Sequence, residues 1–568
     1  MFEWKKNLVW LLLLFLIGVG VYSFNLNNPL FWDDDDWIVN NPYVHSLSGE
    51  NLKNIFTKDM LSGFGLSSNY YRPLLLASFA FNWVLHGTNP FGYHLISNLF
   101  HIVNALLIFF LLSTITTLNV VMTKTVDNSL LFSKRAAFIA ALLWLVHPLN
   151  VEAVAYISGR GDPMSVFFIL LALWLFIKNR KWWAIVPFVL AILSRETAIL
   201  MPALLMVYYI SFLSKQRLWP AFKEAFKKTI PYWAISVFYF ILRLTILNFK
   251  DTLNFYSQTN LYTENISYRL YTFGHVLVEY LKILFVPLGL HMERNILVNT
   301  SFYQWPVWLG FLIVLGIVLI GFILFRNLLK IENWKLKIKE PNSNFRIWFF
   351  GWGWFFVAIA PVSGIIPINA LMYEHWLYLP LVGLSALAGW YLGLLLDKTR
   401  PKALLYRLVV VLLVVWLGFF SVASAKRNLA WGNPAKFYED ILKYNSDSPR
   451  ILTNLANIYT SKQEYEKAIE MYKQSIAIGD DLFAQPYYNL GNIYSHQDKP
   501  EEAEKMYVKA IQVDPSFHFA YKNLAVLYAK YGFYSQAVNV LREFKKIRPD
   551  DPDIDEAIKR LTEDIQSN

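Results

Sequence analysis

Apolar runs of membrane-spanning length dominate the first 425 residues of this 568-residue chain. About 20 predominantly apolar residues are needed for a helix to cross the hydrocarbon core of a bilayer. Hydrophobic residues make up 56% of the chain and charged residues only 16%, which is typical of a protein with many spans. Eleven spans are predicted, at residues 7–24, 91–116, 135–152, 164–178, 182–194, 196–214, 229–248, 305–325, 346–361, 376–396 and 403–424.

Two further apolar stretches, Pro73 to His86 and Tyr271 to Leu290, are predicted to lie on the outer face without crossing, because the first is short and the second contains charged residues. With the N-terminus in the cytoplasm, this arrangement places 23 Lys and Arg residues in cytoplasmic segments, as the positive-inside bias favours. The sequence therefore predicts an integral, multi-pass protein of the plasma membrane or cell inner membrane. Everything after residue 425 is then extracytoplasmic.

The net charge of +11 comes largely from Lys and Arg in short loops beside the apolar runs, which is a topology signal. A nucleic-acid partner is therefore not predicted, and the lipid bilayer is the expected surrounding. The chain has no cysteine, which excludes disulfides, thiol nucleophiles and Cys-ligated metals. It also lacks a Walker-type glycine loop and an H-E-x-x-H motif, so ATP-driven transport and zinc-dependent proteolysis are not indicated.

After Trp431 the composition turns polar and a repeat of about 34 residues begins, which looks like the tetratricopeptide repeat with two helices per unit. The three copies are NLANIYTSKQEYEKAIEMY from Asn454, NLGNIYSHQDKPEEAEKMY from Asn489 and NLAVLYAKYGFYSQAVNVL from Asn523. We predict a membrane domain over 1–425 and a repeat domain over 426–568, with repeats at about 449–483, 484–517 and 518–551 and a capping helix at 552–566. Asp514-Pro515 and Arg548-Pro549 close the second and third repeats. The array is expected to bind acceptor proteins, and the alternative is a packing or dimerisation module.

The conspicuous charged motifs all fall on the predicted outer side. They are FWDDDDWIVNNP (31–42), YYRPL (70–74), HPLNVEAVAYISGRGDP (147–163), SRET (194–197) and EHWLYLP (374–380). Charge near a membrane is costly and commonly functional. Carboxylates beside arginines can deprotonate a hydroxyl and bind a phosphate. Each motif also has a structural alternative: a solvated acidic loop, a helix end at proline, or an Arg–Glu pair that only stabilises the fold.

These motifs, together with NPFGYHLISNLFHIVNALL (89–107) and the repeats, resemble the transmembrane and tetratricopeptide-repeat O-mannosyltransferases and their prokaryotic relatives. The resemblance covers essentially the whole chain. It implies an all-α fold, in which a GT-C-type membrane domain precedes a tetratricopeptide-repeat α-solenoid. It also implies an inverting transferase that moves a mannose-like hexose from a polyprenyl-phosphate donor to a protein hydroxyl. No cofactor is expected, and a divalent-metal requirement stays open.

The resemblance also implies site residues. Counted back from Asn40-Asn41-Pro42, the catalytic acidic pair of the family matches Asp33 and Asp34. The chain departs from the family in having four aspartates here, Arg195 where lysine is frequent and His375 where arginine is common. No metal ligands are assigned. Contacts to the donor phosphate or substrate are expected from Arg72, Arg160, Asp162, Arg195, Glu196, Glu374 and His375.

Two other functions remain open at this stage. An O-antigen-ligase-like transferase or polymerase can also carry tetratricopeptide repeats, but it would not need the acidic first loop. A non-catalytic membrane scaffold that presents the repeats would tolerate neutralisation of the aspartates, whereas an enzyme would not. The acidic loop therefore discriminates among all three hypotheses.

Overall fold

A computed structural model describes residues 4–123, 129–213, 218–249, 260–326, 329–332, 335–338, 343–368, 370–479, 483–547 and 552–567. The chain forms two compact units, Met1–Gly432 and Asn433–Asn568. The predicted boundary after residue 425 falls inside a continuous helix that ends at Ala430, and the chain divides only after that helix is complete.

The described part of the first unit is helical apart from one short antiparallel hairpin, in which Leu329 pairs with Ile338. The sequence analysis did not predict this hairpin. Its strands are β1 (Leu329–Glu332) and β2 (Lys335–Ile338). The helices are α1 (Trp4–Tyr22), α2 (Gly49–Thr57), α3 (Pro73–His86), α4 (Pro90–Thr123), α5 (Ser129–Val146), α6 (Val151–Ala155), α7 (Gly161–Ile177), α8 (Ile185–Ser194), α9 (Met201–Tyr208), α10 (Leu218–Leu244), α11 (Leu261–Glu264), α12 (Ile266–Phe285), α13 (Trp305–Arg326), α14 (Ser343–Ile359), α15 (Pro380–Thr399) and α16 (Ala403–Ala430).

Eight helical segments in the described ranges are long and apolar enough to cross a membrane, so the prediction of a multi-pass membrane protein is confirmed. A ninth is added if the bent pair Phe132–Val146 and Pro148–Ala155, which meets at 52°, forms one span. Helices α3 and α12 do not qualify, in line with their prediction as non-crossing helices. The eight are Asn7–Asn25, Pro90–Thr117, Ile157–Ile177, Glu196–Leu213, Trp305–Phe325, Ser343–Val362, Pro380–Thr399 and Ala403–Ala430.

The predicted span at 182–194 is shorter than a membrane-crossing helix. Helix α8 has 10 residues and is therefore about 15 Å long, against a hydrocarbon core of about 30 Å. Arg195, which directly follows α8, nevertheless forms an ion pair with Asp162 at the beginning of α7. The segment after α7 therefore runs back antiparallel to α7. Helix α8 and the turns before it together cover the length of α7, so that Arg195 lies beside the beginning of α7.

The predicted span at 229–248 also falls short, because the apolar part of α10 follows Lys227 and Lys228 and includes Arg243. Arg243 donates a hydrogen bond to the carbonyl oxygen of Asn69, in the loop that precedes α3. The end of α10 therefore lies beside the loop that precedes α3. The segments long and apolar enough to cross a membrane number eight in the described ranges, or nine with the bent pair, so the count of eleven spans stays a prediction.

The described part of the second unit is an array of helix pairs. The prediction of tetratricopeptide repeats is met by α18 with α19, α20 with α21, and α22 with α23. One alanine in the second helix of each pair, Ala468, Ala503 or Ala537, is completely buried, so the paired helices pack closely. The predicted repeat end at Arg548-Pro549 lies outside the described residues. The helices are α17 (Pro434–Leu442), α18 (Pro449–Ser461), α19 (Tyr465–Ile478), α20 (Gln485–His496), α21 (Pro500–Val513), α22 (His518–Lys530), α23 (Tyr534–Ile547) and α24 (Pro552–Ser567).

Helices α14 and α15 approach each other through a pair of glycines. A Cβ added at Gly383 would meet the carbonyl oxygen of Gly351 and lie 2.9 Å from the Cβ of Trp354. Small residues allow helix backbones to pack closely where lipid provides no hydrophobic driving force between helices. The indole Nε1 of Trp354 also donates to the carbonyl oxygen of Leu379, 2.9 Å away. This contact fixes the beginning of α15, immediately after the EHWLYLP motif.

Gly383→Val should destabilise the protein by about 1–3 kcal/mol, the usual range for overpacking a close contact. The added side chain would push α14 and α15 apart. Gly316→Val on α13 is the matched control, because a Cβ there would have no heavy atom within 4 Å. Thermal unfolding of the detergent-solubilised chain measures both variants. Equal unfolding temperatures for the two would contradict the glycine contact.

Candidate active site

Asp33 and Asp34 are held by a short segment that lies more than a hundred residues away in the sequence. The Tyr156 hydroxyl donates to Asp33 Oδ2 at 2.5 Å. Asp34 Oδ1 accepts from the backbone N–H of Ser158 at 2.8 Å and from the Ser158 hydroxyl at 2.5 Å. We call these four residues the aspartate clamp. The clamp joins the loop that follows α1 to the turn between α6 and α7.

The two aspartates of the clamp have different surroundings. Asp34 is only 2% exposed and also accepts from the backbone N–H of Phe31, so it anchors the loop. Burial raises the pKa of Asp34 to about 7, partly offset by the donors of Ser158. Asp33 is half-buried and therefore reaches the surface of the site. Of the two, Asp33 is the carboxylate that a substrate can approach.

The backbone before the clamp is strained. Trp32 has φ +66, in the left-handed region that bulky side chains rarely occupy. Residues held in such regions cost about 1–3 kcal/mol and cluster at functional sites. A single π-helical turn, Asp35–Val39, follows at once. Burial raises the pKa of Asp36 in this turn to about 7, and the neighbouring Asp33 and Asp35 add to the effect.

Arg160 does not line the site as the sequence analysis predicted. It is completely buried, and its guanidinium donates to neutral acceptors: Asn82 Oδ1 at 2.7 Å, the Tyr93 carbonyl at 2.9 Å, and the Ser97 and Ser78 hydroxyls at 3.1 Å. Its charged carbon also lies 4.8 Å from the centre of the Phe79 ring. Arg160 therefore ties α3 and α4 to the turn before α7, and a phosphate could reach it only if these contacts were broken.

Arg72 and Arg195 form the basic part of the site. Arg72 Nε lies 2.8 Å from Glu196 Oε2, and Arg195 is paired with Asp162. Burial lowers the pKa of Arg195, while Asp162 opposes this effect. For Arg72, burial lowers the pKa, but Glu196, Tyr70 and Asp162 together outweigh burial and the net pKa is raised. Four of the predicted site residues thus meet as two adjacent ion pairs.

Glu374 is completely buried and lies at the centre of a second charged group. Its carboxylate accepts from Arg427 Nη2 at 2.5 Å, from Arg294 Nη2 at 2.8 Å and from the backbone N–H of His291 at 2.9 Å. Burial raises the pKa of Glu374, and the arginines counteract it. All these contacts are internal, so Glu374 joins the loop after α12 to the last turn of α16.

The buried position of His375 favours a neutral imidazole. Burial lowers its pKa to about 3, and its Nδ1 lies 2.5 Å from Glu152 Oε1. A neutral imidazole offers no positive charge to a phosphate, so His375 does not replace the arginine that is common at this position. Its ring stacks on Tyr373, with centroids 5.1 Å apart.

Tyr373 is close enough to act electrostatically on both Tyr156, in the clamp, and Tyr70, whose ring lies 4.6 Å from the guanidinium carbon of Arg72. Burial is the main cause of the raised pKa of both tyrosines, and Tyr373 makes a small contribution to each. Of the predicted site residues, Asp33, Arg72 and Glu196 are partly exposed, whereas Asp34, Arg160, Asp162, Arg195, Glu374 and His375 are buried. No group of three His, Asp or Glu side chains that could hold a metal ion occurs within the described ranges.

Sequence reasoning missed four residues of this region: Tyr156, Ser158, Arg294 and Arg427. Tyr156 and Ser158 lie inside the AVAYISGRGD motif, but neither residue carries charge and neither was singled out. A signal for Arg427 existed in the polar sequence AKRN, where the last apolar run ends. Nothing in the sequence around Arg294 indicated that it would pair with Glu374.

Comparisons with known proteins identify the repeat and a group of distant relatives. A family model described as tetratricopeptide repeat matches residues 447–516. The protein O-mannosyl-transferase F38B6.6 of Caenorhabditis elegans is 35% identical over 174 residues, which are 30% of this chain and 23% of the relative. TMTC3 of Mus musculus is 23% identical over 495 residues, 80% of this chain and 50% of the relative. TMTC1 of Homo sapiens is 36% identical over 148 residues, 25% of this chain and 15% of the relative.

The chain spans half of the length of these curated relatives, or less. The alignment to mouse TMTC3 nevertheless runs through most of this chain. The resemblance predicted from the sequence motifs is therefore confirmed, as a distant relationship.

Asp34→Asn should flatten the dependence of stability on pH between about pH 4 and 7. An aspartate in an unfolded chain titrates near pH 3.9, whereas burial raises the pKa of folded Asp34 to about 7. The folded protein keeps this proton where the unfolded chain has lost it. The stabilisation is therefore complete below pH about 4 and disappears as the pH rises toward 7. Unfolding temperatures across this range measure the slope.

The matched control is Asp447→Asn, at an exposed aspartate of the second unit. This control variant should show the same change of unfolding temperature with pH as the natural chain. A slope that is equally steep in Asp34→Asn would show that Asp34 is ionised in the folded protein.

Proposed function

We propose that this distant relative of the protein O-mannosyl-transferases is a membrane glycosyltransferase. It transfers a mannose-like hexose from a polyprenyl-phosphate donor to a protein hydroxyl on the extracytoplasmic face. The observation that supports this most directly is the aspartate clamp, which holds the half-buried carboxylate of Asp33 in the same compact unit as the ion pairs of Arg72 and Arg195. A proton acceptor and phosphate-binding cations are the two groups that such a transfer needs.

The reaction is a direct displacement at the anomeric carbon. The acceptor oxygen attacks this carbon while the Asp33 carboxylate takes the hydroxyl proton. The bond between the anomeric carbon and the phosphate oxygen breaks, and the polyprenyl phosphate leaves with the bonding electrons. One displacement inverts the configuration of the sugar. Positioned general bases of this kind typically contribute about 10²–10⁴-fold to the rate.

Arg72 and Arg195 are the proposed contacts for the donor phosphate. Negative charge grows on the phosphate as the bond to the sugar breaks, and fixed cations stabilise it most strongly at that point. Glu196 and Asp162 hold the two guanidiniums in place before the donor arrives. Glu374 and His375 have internal partners and are proposed to support the fold of the site without touching the donor.

The second unit is proposed to gather acceptor proteins. The proposal takes the predicted eleven spans and a cytoplasmic N-terminus, with which the repeats are extracytoplasmic. Arrays of this kind present an extended concave surface suited to polypeptides. Loss of a hexose from envelope proteins in cells that lack the gene, measured by mass spectrometry, tests the whole assignment.

Asp33→Asn should lower turnover by about two orders of magnitude or more, because it keeps the shape of the side chain and removes the base. Transfer from a polyprenyl-phosphate mannose to a threonine-containing peptide gives the rate, and donor binding measured separately should survive. Asp36→Asn is the control within the same loop, and its effect should be mild. If all four aspartates can be neutralised without loss of transfer, none of them is the base and the proposed mechanism fails. If Asp36 is essential and Asp33 is not, the mechanism stands with a different base.

Deletion of the second unit, residues 433–568, should separate acceptor binding from chemistry. The first unit is compact by itself and contains all the proposed site residues. Transfer to a short peptide should therefore remain largely intact, while transfer to a full-length acceptor protein should decrease. Equal loss with both acceptors would indicate that the array has a structural role.

A further inference from the structure

Tyr156 makes a direct contact with the proposed base. Its hydroxyl donates to Asp33 Oδ2 at 2.5 Å, a short distance for a hydrogen bond to a carboxylate. Asp33, Asp34 and Tyr373 are close enough to act electrostatically on Tyr156, and Asp33 itself interacts in this way with Asp34 and Asp36. Burial and the adjacent carboxylates raise the pKa of Tyr156 well above its usual value, so the phenol keeps its proton and acts as a donor.

Stacking on a tryptophan holds the ring of Tyr156 in place. It stacks on the indole of Trp431 with centroids 5.7 Å apart and an interplanar angle of 24°. Trp431 is completely buried and also packs against Phe31, two residues before Asp33, at 5.7 Å. The tyrosine therefore lies between the aspartate loop and the end of α16 and has little room to turn its hydroxyl away.

The backbone at Tyr156 supports the same geometry. The residue lies at the break between α6 and the 3-10 turn Ile157–Arg160, with φ −80 and ψ 110. This break points Tyr156 and Ser158 at successive aspartates, so Asp34 is anchored by Ser158 while Asp33 is oriented by Tyr156.

The last turn of α16 fastens the other side of the loop. The carbonyl oxygen of Asn428 accepts from Asn28 Nδ2 at 2.8 Å, and its side-chain oxygen accepts from Asn25 Nδ2 at 3.0 Å. Both partners lie in the segment that leads into the aspartate loop. The position of Trp431 relative to the loop is therefore held by hydrogen bonds as well as by ring packing.

We infer that Tyr156 is a positioning residue that orients the carboxylate of Asp33 for proton transfer, with Trp431 fixing the orientation of its ring. The inference rests on the proposed function, in which Asp33 is the base. A carboxylate that can rotate presents its lone pair to the acceptor hydroxyl in only part of its conformations. A donor on Oδ2 selects one orientation and also favours the ionised form that accepts the proton.

Tyr156→Phe removes the hydroxyl and keeps the ring on Trp431. A hydrogen bond to a charged group is worth about 1.5–3 kcal/mol, so kcat should fall by roughly 10–100-fold, while KM for a polyprenyl-phosphate mannose changes little. The acid limb of the kcat/KM profile should move to higher pH, because Asp33 is easier to protonate without this donor. A purely structural role would not move the pH profile.

Tyr232→Phe is the matched control, since that hydroxyl is also buried and donates to the carbonyl oxygen of Lys181 at 2.6 Å, away from the charged residues of the site. It should keep the kcat and pH profile of the natural chain. In an Asp33→Asn background, Tyr156→Phe should cause no additional loss, because the two residues act through one carboxylate.

The outcomes separate the inference from the proposed function. If Asp33→Asn abolishes transfer but Tyr156→Phe behaves like Tyr232→Phe, the positioning role is wrong and the base assignment stands. Additive losses in the double variant would show that Tyr156 acts independently of Asp33, which also overturns the inference. Full transfer by Asp33→Asn would overturn the base assignment itself.

Discussion

A carboxylate removed from water must meet hydrogen-bond donors or an opposite charge, and this requirement organises the charged end of the first unit. Asp34 and Glu374 are both almost completely buried. Asp34 is met by neutral donors of Ser158 and Phe31, whereas Glu374 is met by two arginines. The partners come from distant parts of the chain, so each buried carboxylate also connects segments that would otherwise be independent loops.

The same requirement separates anchoring residues from residues that can react. Groups with complete internal partners, such as Arg160 and Glu374, hold helices and loops together and face no substrate. Asp33 differs because its side chain is half-buried and reaches the surface of the site. Strain at Trp32 is maintained by the contacts on both sides of it. The loop therefore presents one carboxylate on a rigid support, which is the arrangement expected of a general base.

The membrane helices support this site through polar contacts at their ends. Trp144 Nε1 donates to the carbonyl oxygen of Tyr378 at 3.1 Å, and His101 Nδ1 lies 2.8 Å from the Tyr378 hydroxyl. Tyr378 belongs to the EHWLYLP motif, so α4 and α5 fix the segment that carries Glu374 and His375. Close packing of α14 on α15 at Gly351 and Gly383 acts on the same segment from the other side.

Much of the architecture could be predicted from the sequence. Hydrophobic run length indicated the membrane unit, a 34-residue period indicated the repeats, and ordered motifs indicated the family, because all three are local patterns that bilayer thickness, helix pairing or chemistry imposes on consecutive residues. Run length was a poor guide to the short helix α8 and the charged helix α10. Their positions depend on tertiary contacts, namely the ion pair of Arg195 with Asp162 and the hydrogen bond of Arg243 to Asn69.

Only the tertiary structure decided which polar residues anchor the site and which are available to a substrate. The sequence identified Arg160 as a cation near a phosphate site, but its neutral partners come from α3 and α4, and their approach depends on the folded bundle. It likewise could not single out Tyr156, an uncharged residue within a longer motif. Composition and motif position reveal the charge of a side chain, whereas burial and partners depend on contacts between segments far apart in the chain, which only the fold brings together.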